Sequence, residues 1–576
     1  MITAAAEPLR QLSYGQVQLA AGPLQRQAHE NHLLVLAFDE NALLRPYRIR
    51  AGLAAPGHDL GGWYGTSAFA PGANFGQWLS ALSRFYAITG DVPTQDKVHR
   101  LVCAYAATLE SEGRFYQNNR FPAYTFDKLV GGLVDARMLA HDAAALSVLE
   151  RATQIAVAYL PPHAVPRNEH SEPGEDFSKH AWDESYTLPE NQFLAWHLTG
   201  DDRYRVLAQR FLYDEFFSPL ANGDNVLPGK HAYSHVNALS SAAQAYLTLG
   251  SPMYLQAAGH GFAMIDAQSY ATGGWGPNEH FIVPGSGALG ASLTDVNNSF
   301  ETPCGAYAHF KLTRYLLRIT RDTCYGDSME RVLYNTVLGA MPIEPDGRAF
   351  YYSDYTRHAN KRFHWDHWPC CSGTLPMIAA DYAISTCFTD ANGIYVNLYV
   401  PAEVTWRQHE TICGLSLKTD YPYASTIALT MQLPAELTFT LNLRIPAWAA
   451  GASLRVNGRR ALPPPEPGTF AAIQRKWRTA DLVELELPLP LRLQSVDAAH
   501  PDTVAMLAGP LVLMRVLDED GTSNTPLTRT ALGSAQRLTS EAHDWQIKRV
   551  DRALKWRPFI DIREESYSVY QDVLPA

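Results

Sequence analysis

The chain of 576 residues contains no uninterrupted apolar run of about 18 or more residues, the least that a membrane-spanning helix requires. Met1 to Gly15 do not follow the basic, apolar, small-residue order of a secretory signal. No membrane partner is expected, and the sequence as it stands predicts a cytoplasmic protein; the Ala-rich start leaves a periplasmic origin open if a leader has been removed. A basic surplus is also missing. Lys and Arg number 47 against 58 Asp and Glu, a net charge of −11, and no Lys/Arg-rich run could engage a phosphate backbone locally. Nucleic acid is thereby excluded as a partner class. Cysteine is sparse: seven residues, an odd number scattered over a long chain, do not make a disulfide framework. The composition, 46% hydrophobic and 18% charged, excludes disorder. At this length roughly two to four domains are expected.

What is present begins with a repeated punctuation. Five helix-like segments end in similar turns, at Gly90-Asp91, His141-Asp142, Gly200-Asp201, Gly250-Ser251 and Arg321-Asp322. Glycine suits the left-handed residue that closes a helix, and the Asp or Ser after it suits the N-cap of the next. The joints recur at intervals of roughly 50 to 70 residues, the length of a helix pair plus a longer loop. Such pairs close naturally into an (α/α)6 toroid with a central funnel; an open helical solenoid is the competing arrangement. Near residue 386 the pattern changes to short alternating or β-branched runs, with Asn457-Gly458 as a hairpin signal. The expected architecture is a toroid over 1–385, with a strand at its N-terminus, followed by a β-sandwich region over 386–576 that holds one or two small β units.

The densest cluster of unusual residues is HWDHWPCCSGT, residues 364–374. Adjacent cysteines do not form an ordinary disulfide with each other, but their thiolates can share a metal; inert buried thiols are the bland alternative. A third cysteine in SFETPCGAY places Glu301 three residues before Cys304 at the start of an apparent helix. Glu301, Cys304, Cys370 and Cys371 together make a four-ligand set suited to tetrahedral zinc. Zinc would hold Cys370 as a thiolate, the nucleophilic form. Upstream, YATGGWGPNEHFIVPG bends a loop around Glu279. Apolar rings beside a carboxyl raise its pKa towards that of a general acid, so Glu279 is the candidate for leaving-group protonation. Trp275, Trp365, Trp368, Tyr351 and Tyr352 are candidate stacking faces for a sugar.

These motifs, with YGDSMERVLYN, FYYSDY, LRIPAW and VNG, are similar to the β-L-arabinofuranosidase family of glycoside hydrolases, in the same order along nearly the whole chain. The resemblance implies an (α/α)6 catalytic barrel with appended β-sandwiches, zinc held by Glu301, Cys304, Cys370 and Cys371, and hydrolysis with retention of configuration. By motif, Cys370 attacks the anomeric carbon and Glu279 serves as general acid/base, while His231, Tyr351 and Glu330 fall where the family has pocket residues. Three departures bear on the transfer. Pro303 lengthens the Glu-Thr-Cys motif, so the ligand loop must be rebuilt; Asp127 stands where relatives often carry a histidine; and SYTLPEN lacks another. Asp127, Tyr186 and Glu190 are candidates for the replacement contacts, with capping or internal ion pairing as the alternative for each.

Two other functions compete. One is a metal-free toroid glycosidase or lyase using two carboxylates or a Tyr/His pair. The other is a carbohydrate-binding protein whose zinc is structural. The expected partner is a carbohydrate, and a homodimer is compatible with the sequence.

Overall fold

The computed structural model describes residues 7–68, 70–117, 119–167, 183–518, 526–538, 543–549 and 553–574. All five joints connect one helix to the next. Gly90, Gly200 and Gly250 close their helices with φ of 67°, 72° and 76°, and His141 and Arg321 adopt the same left-handed backbone at 59° and 63°. The Asp91, Asp201 and Asp322 carboxylates accept from backbone N–H groups of the following first turn, as N-caps do.

The first helix of each joint belongs to an inner ring: Phe75–Thr89, Pro122–Met138, Leu188–Thr199, Ala232–Leu249 and Thr302–Thr320, with Cys371–Thr386 as the sixth. Each packs on the next, and the sixth packs back on the first, so the ring closes and the solenoid alternative fails. The outer partners are Val92–Ala106, Ala145–Ala156, Asp202–Arg210, Pro252–Asp266 and Thr323–Asn335. Pro23–Ala37, near the start of the chain, covers the sixth inner helix, which is why six pairs show only five joints. A helix apolar on all sides must be surrounded by protein, and every residue of Cys371–Thr386 is buried. The first two inner helices approach so closely that a Cβ on Gly76 would lie 2.1 Å from the Lys128 carbonyl oxygen, and one on Gly132 would lie 2.4 Å from that of Gly76.

The β-rich region begins where the sixth inner helix ends, at Cys387. A five-stranded and a seven-stranded sheet follow, and their buried faces meet around Trp406, Phe439 and Trp477. Along Ala402–Gln408 buried and exposed residues alternate, as a strand with one face in a core requires. The N-terminal segment joins these sheets: Arg10 pairs with Thr389 and Val17 with Val404. The hairpin turn at Asn457-Gly458 has positive φ at both residues, 51° and 74°. Leu491–Leu574 supplies a third sheet of nine strands among the described residues.

Glu330 is corrected here. It belongs to an outer helix, Thr323–Asn335, whose buried face meets the β-region, and its carboxylate accepts from Arg444 at 2.8 Å and from the Tyr421 hydroxyl at 2.7 Å. Arg444 is fully buried. Glu330 therefore ties the toroid to the strand Leu437–Ile445 and does not face the funnel.

Candidate active site

The inner helices begin at one end of the ring, and the unusual residues lie at those beginnings. Cys370 is the N-cap and Cys371 the first residue of the sixth inner helix. Glu301 caps Thr302–Thr320, with Cys304 in its first turn, so the carboxylate comes from the cap and not from a shared helical face. Pro303 sits in that first turn, where a missing N–H costs nothing. His231 caps Ala232–Leu249. The positive ends of the helix dipoles thus face a cluster of potential anions.

Cys304 Sγ lies 3.2 Å from Cys370 Sγ and 3.3 Å from Cys371 Sγ, and Cys370 Sγ is 3.3 Å from Glu301 Oε1. All four ligand atoms fall within 4.8 Å of one another in a buried cluster that could hold a metal ion. Glu301 Oε2 is buried without a hydrogen-bond partner, a polar atom that a cation would satisfy. Burial pushes the Cys304 and Cys371 thiols and the Glu301 carboxyl well up. Burial opposes ionisation of Cys370 too, yet hydrogen bonds from Cys304, Cys371 and Tyr351 outweigh it and bring that thiol well below its ordinary value.

A cavity of about 380 Å³ opens against this cluster. Cys370 lines it, whereas Cys304 and Cys371 lie behind, fully buried. Facing the cavity with Cys370 are Glu279, His231, Tyr351 and Tyr352. The short strand Phe300–Glu301 pairs with Tyr352–Ser353, which sets these tyrosines beside the cluster. The Tyr351 hydroxyl is 3.5 Å from Cys370 Sγ, and the Tyr352 hydroxyl donates to Glu279. His231 Nε2 lies 3.5 Å from Glu279 Oε2.

Glu279 has the opposite electrostatics from that expected. Burial would raise its pKa, but His231, the Tyr352 hydroxyl and the charge of Arg167 overcome the burial and lower it to about 2. Glycines and aromatic residues in the loop had pointed to an apolar setting; the neighbours that matter come from elsewhere in the chain. Asn278 and Glu279 both hold positive φ, 57° and 63°, strain of the kind concentrated at functional sites.

Three further candidates lie outside this cavity. Asp127 and Glu190 line a second cavity of about 410 Å³, deeper in the same ring. There Asp127 accepts from Thr187 and Asn191 at 2.9 and 2.8 Å, and Glu190 is ion-paired with Lys311. Tyr186 is fully buried and bonds Ser234, the residue that also contacts His231, so it stands behind the histidine. Of the five aromatic candidates, Trp365, Tyr351 and Tyr352 line the Cys370 cavity; Trp275 and Trp368 are core residues. Sequence reading missed Arg167 and Glu184, which line the cavity as a 2.8 Å ion pair, Glu184 again with positive φ, 47°. No motif spacing marks either one. A cavity of about 660 Å³ near Tyr421 and Trp545 lies apart from the cluster.

A six-pair toroid with a thiol and a carboxylate facing one sugar-sized cavity at its open end defines a toroid-type glycoside hydrolase. The chain belongs to the GH127 β-L-arabinofuranosidase family: residues 16–383 match the family's catalytic domain and residues 393–489 its middle domain. Similar solved structures include the GH127 β-arabinofuranosidase BT3674, at 16% identity and a TM-score of 0.76 over 99% of this chain and 98% of that one. Another is Ara127N, a GH127 β-L-arabinofuranosidase from Geobacillus stearothermophilus T6, at 19% identity and a TM-score of 0.73 over 97% and 100%. No curated protein sequence matches. Among the described residues no helix is long and apolar enough to cross a membrane.

Proposed function

We propose that this glycoside hydrolase releases β-L-arabinofuranose from glycoconjugates or plant polysaccharides by double displacement, with Cys370 as nucleophile. The observation that carries the reading is that Cys370 is the one cysteine of the cluster that lines the cavity, and it shares that cavity with Glu279. In the first step Cys370 Sγ bonds to the anomeric carbon as the glycosidic C–O bond breaks, and Glu279 passes a proton to the departing oxygen. In the second, Glu279 takes a proton from water, whose oxygen bonds to the anomeric carbon while the C–S bond breaks and the thiolate returns. Two inversions give net retention.

Against burial, His231, Tyr352 and Arg167 hold the Glu279 carboxyl low in the free site, so it takes up the leaving-group proton once substrate is bound. Tyr352 orients that carboxylate, and Tyr351 stabilises the Cys370 thiolate by hydrogen bonding.

The donor set of three sulfurs and a carboxylate with an unpartnered oxygen fits zinc better than a hard cation. Glu301, Cys304, Cys370 and Cys371 would hold it. When bound it keeps the thiolates ionised and lowers their basicity, which makes sulfur a better leaving group.

A panel of nitrophenyl glycosides, assayed on protein of measured zinc content, tests this. Turnover of the β-L-arabinofuranoside is expected, with the β-anomer as first product by NMR and about one zinc per chain. Full activity in zinc-free protein, or an inverted first product, would overturn the mechanism; preference for another glycoside would overturn the sugar.

A further inference from the structure

Trp365 is 83% exposed, the most exposed large hydrophobic residue described, although Trp78, Trp275, Trp406, Trp477 and Trp556 are all sealed in the core. Its place is not that of a loose surface loop. The Asp366 N–H donates to His364 Nδ1 at 3.1 Å, and His367 Nδ1 meets the Asp346 carbonyl oxygen at 2.8 Å. The Trp63 N–H donates to the His367 carbonyl oxygen at 2.9 Å. Three tethers therefore fix the backbone around an indole that stands in water.

That indole is also the outer end of a file of rings. The Tyr352 and Tyr351 centroids are 4.4 Å apart, Tyr351 and His364 are stacked at 4.7 Å, and His364 and Trp365 are 5.0 Å apart. The inner end touches the chemistry, since Tyr352 bonds Glu279 and Tyr351 contacts Cys370. All four rings line the catalytic cavity. A rigid, amphipathic face continuous with a sugar site is suited to the C–H face of a second sugar ring. Asp366 lines the cavity next to the indole, which favours a neutral ring over an acidic one.

We infer that Trp365 is the platform for the first sugar of the leaving group, so that the substrate is a neutral oligosaccharide or glycan whose terminal residue enters the Cys370 cavity while the next ring stacks on the indole. The inference rests on the glycosidase reading above, and deepens it by naming the leaving group as a sugar.

The test uses the full chain carrying Glu279→Gln, so that ligands are bound and not consumed. Calorimetric titration compares methyl β-L-arabinofuranoside with a disaccharide ending in the same sugar, with and without Trp365→Ala and Trp365→Tyr. The disaccharide is expected to bind roughly tenfold more tightly than the methyl glycoside, the scale of one aromatic contact. Trp365→Ala should erase that gain with the methyl glycoside affinity held within about twofold, and Trp365→Tyr should keep most of it. An equal loss of both ligands in Trp365→Ala overturns the platform. So does a change from dimer to monomer on Trp365→Ala, which would make the indole a subunit contact. Matched pairs ending in β-D-xylose, α-L-arabinofuranose and β-D-galactose are titrated alongside. If only one of those shows the Trp365-dependent gain, the sugar assignment fails and the platform stands; if no pair shows it, the platform fails.

Discussion

Cys370 and Cys371 are neighbours in the chain, yet Cys370 lines the cavity and Cys371 is fully buried behind it, 3.3 Å from Cys304. The turn that starts the sixth inner helix sends the two thiols to different sides of the same cluster. Equivalent chemistry is thereby given unequal access.

Cys370→Ser is expected to lower kcat by on the order of 10³-fold or more, with no recovery on adding zinc, because an alkoxide is far harder to form than a thiolate. Cys371→Ser should reduce zinc content and activity together, and added zinc should restore part of both. Peptide mapping after a haloacetamide-bearing sugar mimic should find the label on Cys370. A label on Cys371 alone would reverse the assignment.

Glu279→Gln should depress turnover of glycosides with poor leaving groups by about 10²- to 10⁴-fold and of activated nitrophenyl glycosides much less in the first step. Comparing kcat/KM across a series of leaving-group pKa values measures this. Equal losses throughout the series would show that Glu279 only supports the cavity.

The depressed pKa of Glu279 gives a pH prediction with a definite sign. Burial raises that pKa and His231 is the largest influence bringing it down to about 2. With His231→Gln the carboxyl must rise, so the protonated form of Glu279 persists to higher pH, and the limb of kcat/KM that falls as this proton is lost should move to higher pH on poor leaving groups. An unchanged pH profile would remove His231 from proton handling.

Glu330 separates stability from binding. Its partner Arg444 is fully buried, so Glu330→Ala leaves a guanidinium with Asp327 as its remaining carboxylate partner. A loss of about 3 kcal/mol in unfolding free energy is expected, with KM unchanged. Denaturant unfolding and steady-state kinetics on the same protein check both; a raised KM with unaltered stability would return Glu330 to the substrate pocket.

Much of this was readable from local signals. A left-handed residue followed by an Asp or Ser is decided within a few residues, and all five such joints join helix to helix. Asn457-Gly458 likewise needs only its own turn. The cysteines were conspicuous because Cys370-Cys371 and the Glu301–Cys304 motif together make a four-ligand set. Asp127 and Glu190 were not readable in the same way. Inner helices present polar residues to the funnel along their whole length, and one turn advances about 5.4 Å. Tyr124 therefore lines the Cys370 cavity while Asp127, on the next turn, lines the deeper one.

The sequence by itself determined the helix-pair rhythm, the passage to strands after Thr386 and the residue types able to bind a metal, because capping, periodicity and ligand chemistry are properties of short segments. Only the tertiary structure decided that the pair opened by Pro23–Ala37 closes on Cys371–Thr386, that Glu330 faces Arg444, and that Glu279 lies beside His231, Tyr352 and Arg167. Electrostatic setting depends on which charges arrive within a few ångströms, and those arrive from distant parts of the chain. The loop around Glu279 described an apolar pocket; the fold placed a cation and two hydrogen-bonding partners in it, and reversed the direction of its pKa.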